Sequence, residues 1–82
     1  MTIRVSTNSE AGVTFVKVDG WFKAEDVEEF VRLLNQMNSQ PALDLSELQS
    51  ADRSAVEVLR ELIASGVSLR RVSPYIELLL KT

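Results

Sequence analysis

The first part of the chain alternates between apolar and polar side chains, as half-buried β-strands do. In residues 2–6, Ile3 and Val5 share one face, and residues 8–12, NSEAG, form a cluster typical of turns. Residues 13–18, VTFVKV, are rich in β-branched side chains and predict a second strand. Together the two segments predict a β-hairpin.

The next segment changes to a helical period. Residues 23–40 predict a helix, with Glu25 and Asp26 in its first turn, where negative charge favours the positive end of the helix dipole. Its apolar residues fall on one stripe, namely Val27, Phe30, Val31, Leu34 and Met37. Pro41 ends this segment.

The second half of the chain repeats the strand–helix pattern. Residues 42–45, ALDL, predict a strand, and Asp52 to Ser65 predict a helix that Gly66 closes. Residues 67–72 predict a further strand. Residues 73–82 predict a last helix, because Ser73 suits the N-cap and Pro74 the first helical position.

The predicted order is therefore β-β-α-β-α-β-α within a single domain, residues 1–82. This order predicts an α/β fold with a four-stranded mixed sheet, since strands joined through helices run parallel with right-handed crossovers. Polar residues alternate with apolar ones in the strands, which favours helices on one face only. If the third and fourth strands are neighbours, Asp44 and Arg70 should meet on the helix-free face.

The second helix has a wide apolar face, with Leu59 and Leu62 at its middle, and a narrower polar wedge. The wedge contains Arg53, Ser54, Glu57, Arg60, Glu61 and Ala64. Ser54 should therefore be exposed at the carboxyl end of the third strand, the edge where open α/β sheets usually bind ligands and partners.

Composition and charge narrow the function. The chain has 82 residues, a net charge of −3, and neither cysteine nor histidine. The charge argues against a nucleic-acid partner, and the missing residue types exclude disulfides, the usual zinc sites and Ser–His or Cys–His nucleophiles. We expect no enzymatic activity, no cofactor or metal, no insertion into a membrane, and a cytoplasmic location.

The residues LDLSELQSADRSAVEVL resemble the core of the STAS domain, a family named for sulfate transporters and anti-sigma factor antagonists. That core is an apolar strand ending in DLS, a short loop, and DSSG or a variant that opens a helix. The predicted element order and VSPYIELLL after the last strand are similar to the family too. The resemblance covers nearly the whole chain.

The resemblance implies a phosphorylation site. In anti-sigma factor antagonists, the second serine of the motif is phosphorylated by a partner that is both anti-sigma factor and kinase. Here Ser54 holds that position and Asp52 matches the aspartate. The chain departs from the pattern at Arg53, at Ala55, and in GWFK, residues 20–23, where the family has GR(L/F)D.

Several functions follow as hypotheses. The first is a protein-binding regulatory module that an anti-sigma factor/serine kinase switches at Ser54. The second is an unphosphorylated STAS accessory subunit that docks on the ATPase subunit of a lipid-transport ABC system, some of which have DSSA or DSAA. A carrier protein is a third, but it would be all-helical.

For the first two, the expected partner surface is Trp21, Asp52, Arg53, Ser54, Glu57 and Glu61. Alternatively, Ser54 is only a small polar residue in the first helical turn, with Asp52 as N-cap.

Overall fold

The computed structural model describes residues 3–37 and 40–81. Its elements are β1 (Ile3–Glu10), β2 (Val13–Phe22), a 3₁₀ turn (Ala24–Asp26), α1 (Val27–Asn35), β3 (Ala42–Leu45), β4 (Leu48–Ala51), α2 (Arg53–Ala64), β5 (Ser68–Val72) and α3 (Pro74–Lys81). Thr2, Asn38, Ser39 and Thr82, which the predicted elements include, lie outside the described residues. The β-strands contradict the carrier-protein hypothesis, because a carrier protein would be all-helical.

β1 and β2 form the predicted hairpin. They pair antiparallel from Ile3 opposite Gly20 to Glu10 opposite Val13, which leaves a two-residue turn. Both turn residues have positive φ, 53° at Ala11 and 82° at Gly12. This is the type I′ geometry whose twist matches that of the flanking strands.

The sheet of the described residues has five strands, so the prediction of four is wrong. β2 pairs on its other side with two short strands in succession, parallel to β3 at Phe15–Lys17 and parallel to β4 at Gly20–Phe22, with a register shift between Gly20 and Trp21. β5 pairs with β3 and completes the order β1-β2-β3-β5, with β4 beside the end of β2.

One hydrophobic cluster joins the three helices to one face of the sheet. Its strand residues alternate, as in Val16 and Val18 of β2 and Leu43 and Leu45 of β3. The helices contribute Phe30 from α1, Ala55 and Leu59 from α2, and Ile76 from α3, all of them 0–1 % exposed. The intervening strand residues, such as Lys17 and Asp44, point to the opposite face.

The predicted contact between Asp44 and Arg70 is wrong. A register shift between Leu43 and Asp44 places Asp44 opposite Arg71. Arg70 instead lies over the ring of Phe15, with its guanidinium carbon 4.2 Å from the ring centroid, and its Nη1 is 3.4 Å from Oε2 of Glu10. The extra residue of a β-bulge, which periodicity does not reveal, causes the difference.

The helix ends follow local chemistry. The first helix starts later than predicted, at Val27, after the 3₁₀ turn, and ends at Asn35, well before Pro41. At the end of α2, Gly66 has φ 110°, its N–H donates to Ile63, and the N–H of Val67 donates to Leu62 at 3.0 Å. This is the Schellman arrangement, and it turns the chain into β5. At the start of α3, the Ser73 hydroxyl accepts a 3.4 Å bond from the N–H of Ile76, as predicted for an N-cap.

Candidate functional site

The start of α2 is fastened to the end of β2. The backbone N–H of Asp52 donates to the carbonyl of Phe22 at 2.8 Å. The carboxylate of Asp52 accepts two further bonds, from Trp21 Nε1 and from the backbone N–H of Ala24, both at 3.0 Å. The three hydrogen bonds of Asp52, one donated and two accepted, thus fix where α2 begins relative to the sheet.

Asp52 is the N-cap of α2 by position, but its side chain does not cap the helix. Its backbone is extended, with φ −69° and ψ 163°, as expected for an N-cap residue, yet its carboxylate accepts no hydrogen bond from the N–H groups of the first turn. The carboxylate is turned toward Trp21 and Ala24 instead. The Asp52 N-cap interpretation therefore holds for the backbone and fails for the side chain.

Ser54 is exposed in the first turn of α2. Next to it, the side chain of Arg53 is 95 % exposed, and its Nε lies 3.8 Å from Oε1 of Glu57, one helical turn further on. Glu61 is exposed a turn beyond Glu57. The predicted polar wedge therefore faces solvent except at Arg60, which is partly buried, and the charge of Arg53 is directed along the helix toward Glu57.

Trp21 is half exposed, at 50 %, although it is the largest side chain of the region. The Nζ of Lys23 lies 4.8 Å from the centroid of its ring, a cation–π contact. Sequence reasoning did not assign Lys23 to the surface. Only its position two residues after Trp21, just past the strand end, could have indicated it.

A groove lies between α2 and α3, and two residues of the polar wedge, Arg53 and Glu57, border it. It has a volume of about 440 Å³ and is lined by Ala51, Arg53, Val56, Glu57, Arg60 and Leu79. Arg60 joins the two helices, since its Nε donates to the carbonyl of Leu80 at 3.0 Å. The groove gives the polar wedge an apolar neighbour, which periodicity alone did not predict.

The DLS triplet ends β3 and begins the two-residue turn to β4, which is formed by Ser46 and Glu47. Oδ1 of Asp44 accepts bonds from the Ser46 hydroxyl at 2.7 Å and from the Ser46 N–H at 3.0 Å. Burial acts to raise the pKa of Asp44, but the two Ser46 bonds and the charges of Arg71 and Lys17 outweigh it, so the pKa lies below its ordinary value. The ionised carboxylate of Asp44 thus accepts the hydrogen bonds that form the turn. Asp44 lies on the helix-free face.

Two kinds of feature are absent from the described residues. Within residues 3–37 and 40–81, no three carboxylates, histidines or cysteines are grouped as metal ligands would be. None of the helices in the described part of the chain has both the length and the apolar character needed to cross a membrane.

Comparison with known proteins gives a fold and no family. No family model matches the sequence, and no curated protein matches it. A solved structure described as "Crystal Structure Analysis of Mglu" is similar, with a TM-score of 0.65 and 19 % identity over 89 % of this chain and 20 % of that one. This chain therefore spans about a fifth of the length of that protein. At this identity, the likeness shows a shared α/β fold.

Proposed function

We propose that the chain is a non-catalytic, protein-binding regulatory domain of the STAS type. Its partner surface is centred on Ser54 and includes Trp21, Asp52, Arg53, Glu57 and Glu61. The observation that carries the proposal is the fastening of α2 to β2 through Asp52, which presents Ser54 to solvent on a fixed helix start.

The composition of the surface suits a protein partner. Trp21 offers a large, half-exposed ring that needs little ordering, and tryptophan is enriched among residues that dominate binding energy. The groove between α2 and α3 adds apolar contact through Val56 and Leu79, and charged residues, Arg53 and Glu57 among them, line it too. A partner that covers both would bury apolar area at the centre and leave Glu57 and Glu61 at the margin.

Phosphorylation of Ser54 would act on this surface through charge. A phosphate adds roughly −1.5 to −2 charges at neutral pH. The helix would tolerate it, because the first-turn N–H groups and the helix dipole favour an anion, and the Asp52 carboxylate is engaged elsewhere. A partner bound over Ser54 would not, because an interface fitted to a neutral serine would have to enclose the added charge.

Binding measurements with Ser54 variants test the proposal. The partner is isolated by affinity capture on the parent protein, purified, and titrated with the parent, Ser54→Asp and Ser54→Ala. We expect Ser54→Ala to bind like the parent and Ser54→Asp to bind on the order of tenfold more weakly or worse, since a like charge in an interface is costly. Both variants should melt within a few degrees of the parent.

Arg53 provides a second variant for the same measurement. Its guanidinium lies near Glu57 and is free to move toward an added charge at Ser54, because the 3.8 Å pair is highly exposed and therefore weak. Arg53→Ser introduces the serine that the STAS motif has at this position, and it should enlarge the effect of Ser54→Asp. Equal affinity of Ser54→Asp and parent would reject the switch and favour the unphosphorylated accessory subunit of an ABC ATPase.

A further inference from the structure

The outer edge of β1 is unprotected. β1 is eight residues long, and its register with β2 has no shift along its whole length. None of the described residues pairs with its other side. Edge strands usually carry a lysine, a proline or a bulge that prevents further pairing. IRVSTNSE has none of these three, and its two charges, Arg4 and Glu10, lie near its ends, whereas β5 at the opposite edge is shorter and has a bulge.

The hairpin determines which main-chain groups of β1 face outward. A two-residue turn makes Glu10 and Val13 a hydrogen-bonded pair. Because such pairs alternate along an antiparallel ladder, the even-numbered residues of β1 bond to β2. The N–H and C=O groups of Val5, Thr7 and Ser9 therefore point away from the sheet, where a further strand would bond to them.

The positions of the charges in β1 favour a second copy of the chain as the partner. Arg4 and Glu10 lie on the same face of the strand, six positions apart, with Thr7 midway between them. If a second copy pairs antiparallel about a two-fold axis at Thr7, Arg4 of each copy lies opposite Glu10 of the other. A two-fold axis at Ser6 would instead place Arg4 opposite Asn8 and lose the charge match.

The first of these registers agrees with the main-chain directions. It makes Val5 with Ser9, and Thr7 with its own copy, the hydrogen-bonded pairs. Arg4 with Glu10 then becomes a non-hydrogen-bonded pair, in which side chains approach most closely. The Glu10 side chain is 62 % exposed, so it can meet Arg4 of the second copy while it keeps its contact with Arg70.

We propose that two copies of this chain associate through antiparallel pairing of β1, with the two-fold axis at Thr7, to give one continuous sheet across the dimer. The interface is isologous, so both copies use the same residues. It shares no residue with the surface around Ser54. Most of its contacts are main-chain hydrogen bonds and polar side chains, so the association is expected to be weak and to depend on concentration.

A charge-exchange series tests the pairing. Sedimentation equilibrium measures the dimer dissociation constant of the parent, Arg4→Glu, Glu10→Lys and the double variant. Each single variant creates two like-charge pairs per dimer and should raise the constant on the order of tenfold. The double variant restores opposite charges across the axis and should recover most of the affinity, although Glu10→Lys still loses its contact with Arg70. Thermal melts of all four proteins check that the variants fold.

Crosslinking tests the register, because the chain has no cysteine of its own. Thr7→Cys places two thiols opposite each other, with Cα atoms about 5.5 Å apart. Ser9→Cys places them about 13 Å apart along the strands. The shortest bifunctional methanethiosulfonate reagent should therefore link Thr7→Cys dimers and leave Ser9→Cys monomeric. A monomer at every concentration up to about 1 mM, no recovery in the double variant, or linking of Ser9→Cys in place of Thr7→Cys would each overturn the proposal.

Discussion

At the scale of the residue, the most informative side chain outside the site is Asp44. Its carboxylate accepts hydrogen bonds from both the hydroxyl and the N–H of Ser46, and these bonds form the turn between β3 and β4. Aspartate favours such turns because its short side chain bonds to the backbone two residues later. Turn geometry therefore accounts for the aspartate and the serine of the DLS triplet, and burial in the core accounts for Leu45.

Ser46→Ala tests the cause of the lowered Asp44 pKa. Losing the hydroxyl bond should raise the pKa toward the ordinary value near 4 and reduce the free energy of unfolding at neutral pH by about 1 kcal/mol or less. A lowered pKa stabilises the fold above the ordinary value, and this contribution is lost as the pH falls through the folded-state pKa. The difference between parent and variant should thus shrink below about pH 4.

Carboxyl NMR titration of Asp44 and urea unfolding at several pH values measure the two effects. Ser68→Ala, at an exposed position of β5, is the matched control and should change neither. An unchanged titration of Asp44 in Ser46→Ala would mean that the backbone N–H of residue 46 and the charges of Arg71 and Lys17, not the Ser46 hydroxyl, lower its pKa.

Single-residue exposure was the part of the site that the sequence predicted best. The helical period indicated that Ser54, Glu57 and Glu61 face solvent, and they do. The period could not indicate where the Asp52 carboxylate points, because its partner Trp21 is 31 positions away in the chain. Contacts of that kind depend on how the strands are arranged, which local pattern does not encode.

At the scale of the element, α2 is the best test of the apolar pattern. Leu59 is 0 % exposed at the centre of the core, so Leu59→Ala should reduce the free energy of unfolding by roughly 2–5 kcal/mol. The sequence predicts that Leu62 is as buried as Leu59, but it is only partly buried. Leu62→Ala should therefore reduce the free energy of unfolding by less than Leu59→Ala. Exposed Glu57 is the control, and Glu57→Ala should stay within about 0.5 kcal/mol of the parent. Chemical unfolding curves measure all three, and equal midpoints for the Leu59 and Glu57 variants would contradict this orientation of α2.

The elements that the sequence failed to predict are those whose pairing comes from elsewhere. β4 has four residues, LQSA, of which only Leu48 is strongly apolar, so it has no strand signal of its own. It forms because β2 extends beyond the end of β3 and offers a free edge there. Strand formation therefore follows context more than local preference.

At the scale of the whole molecule, the Ser54 surface and the β1 edge use different elements and no common residue. We therefore expect their free energies to add, as separated sites usually do. Ser54→Asp should leave the dimer dissociation constant unchanged, and Arg4→Glu should leave affinity for the captured partner unchanged. Sedimentation equilibrium and partner titration on both variants measure this, and any change of more than about threefold in either cross measurement would indicate that the two surfaces are coupled.

The long β2 strand has a consequence for how the chain folds. Its hairpin with β1 closes through a two-residue turn, and such hairpins form within microseconds. β3 and β4 must come from residues 42–51, and their pairing is delayed by the entropy of closing a long loop. During that delay, the apolar side chains of Val16 and Val18 stand uncovered on a strand with an open edge, a state prone to aggregation. The time for which the newly made chain needs protection is therefore set by how fast one short segment reaches β2.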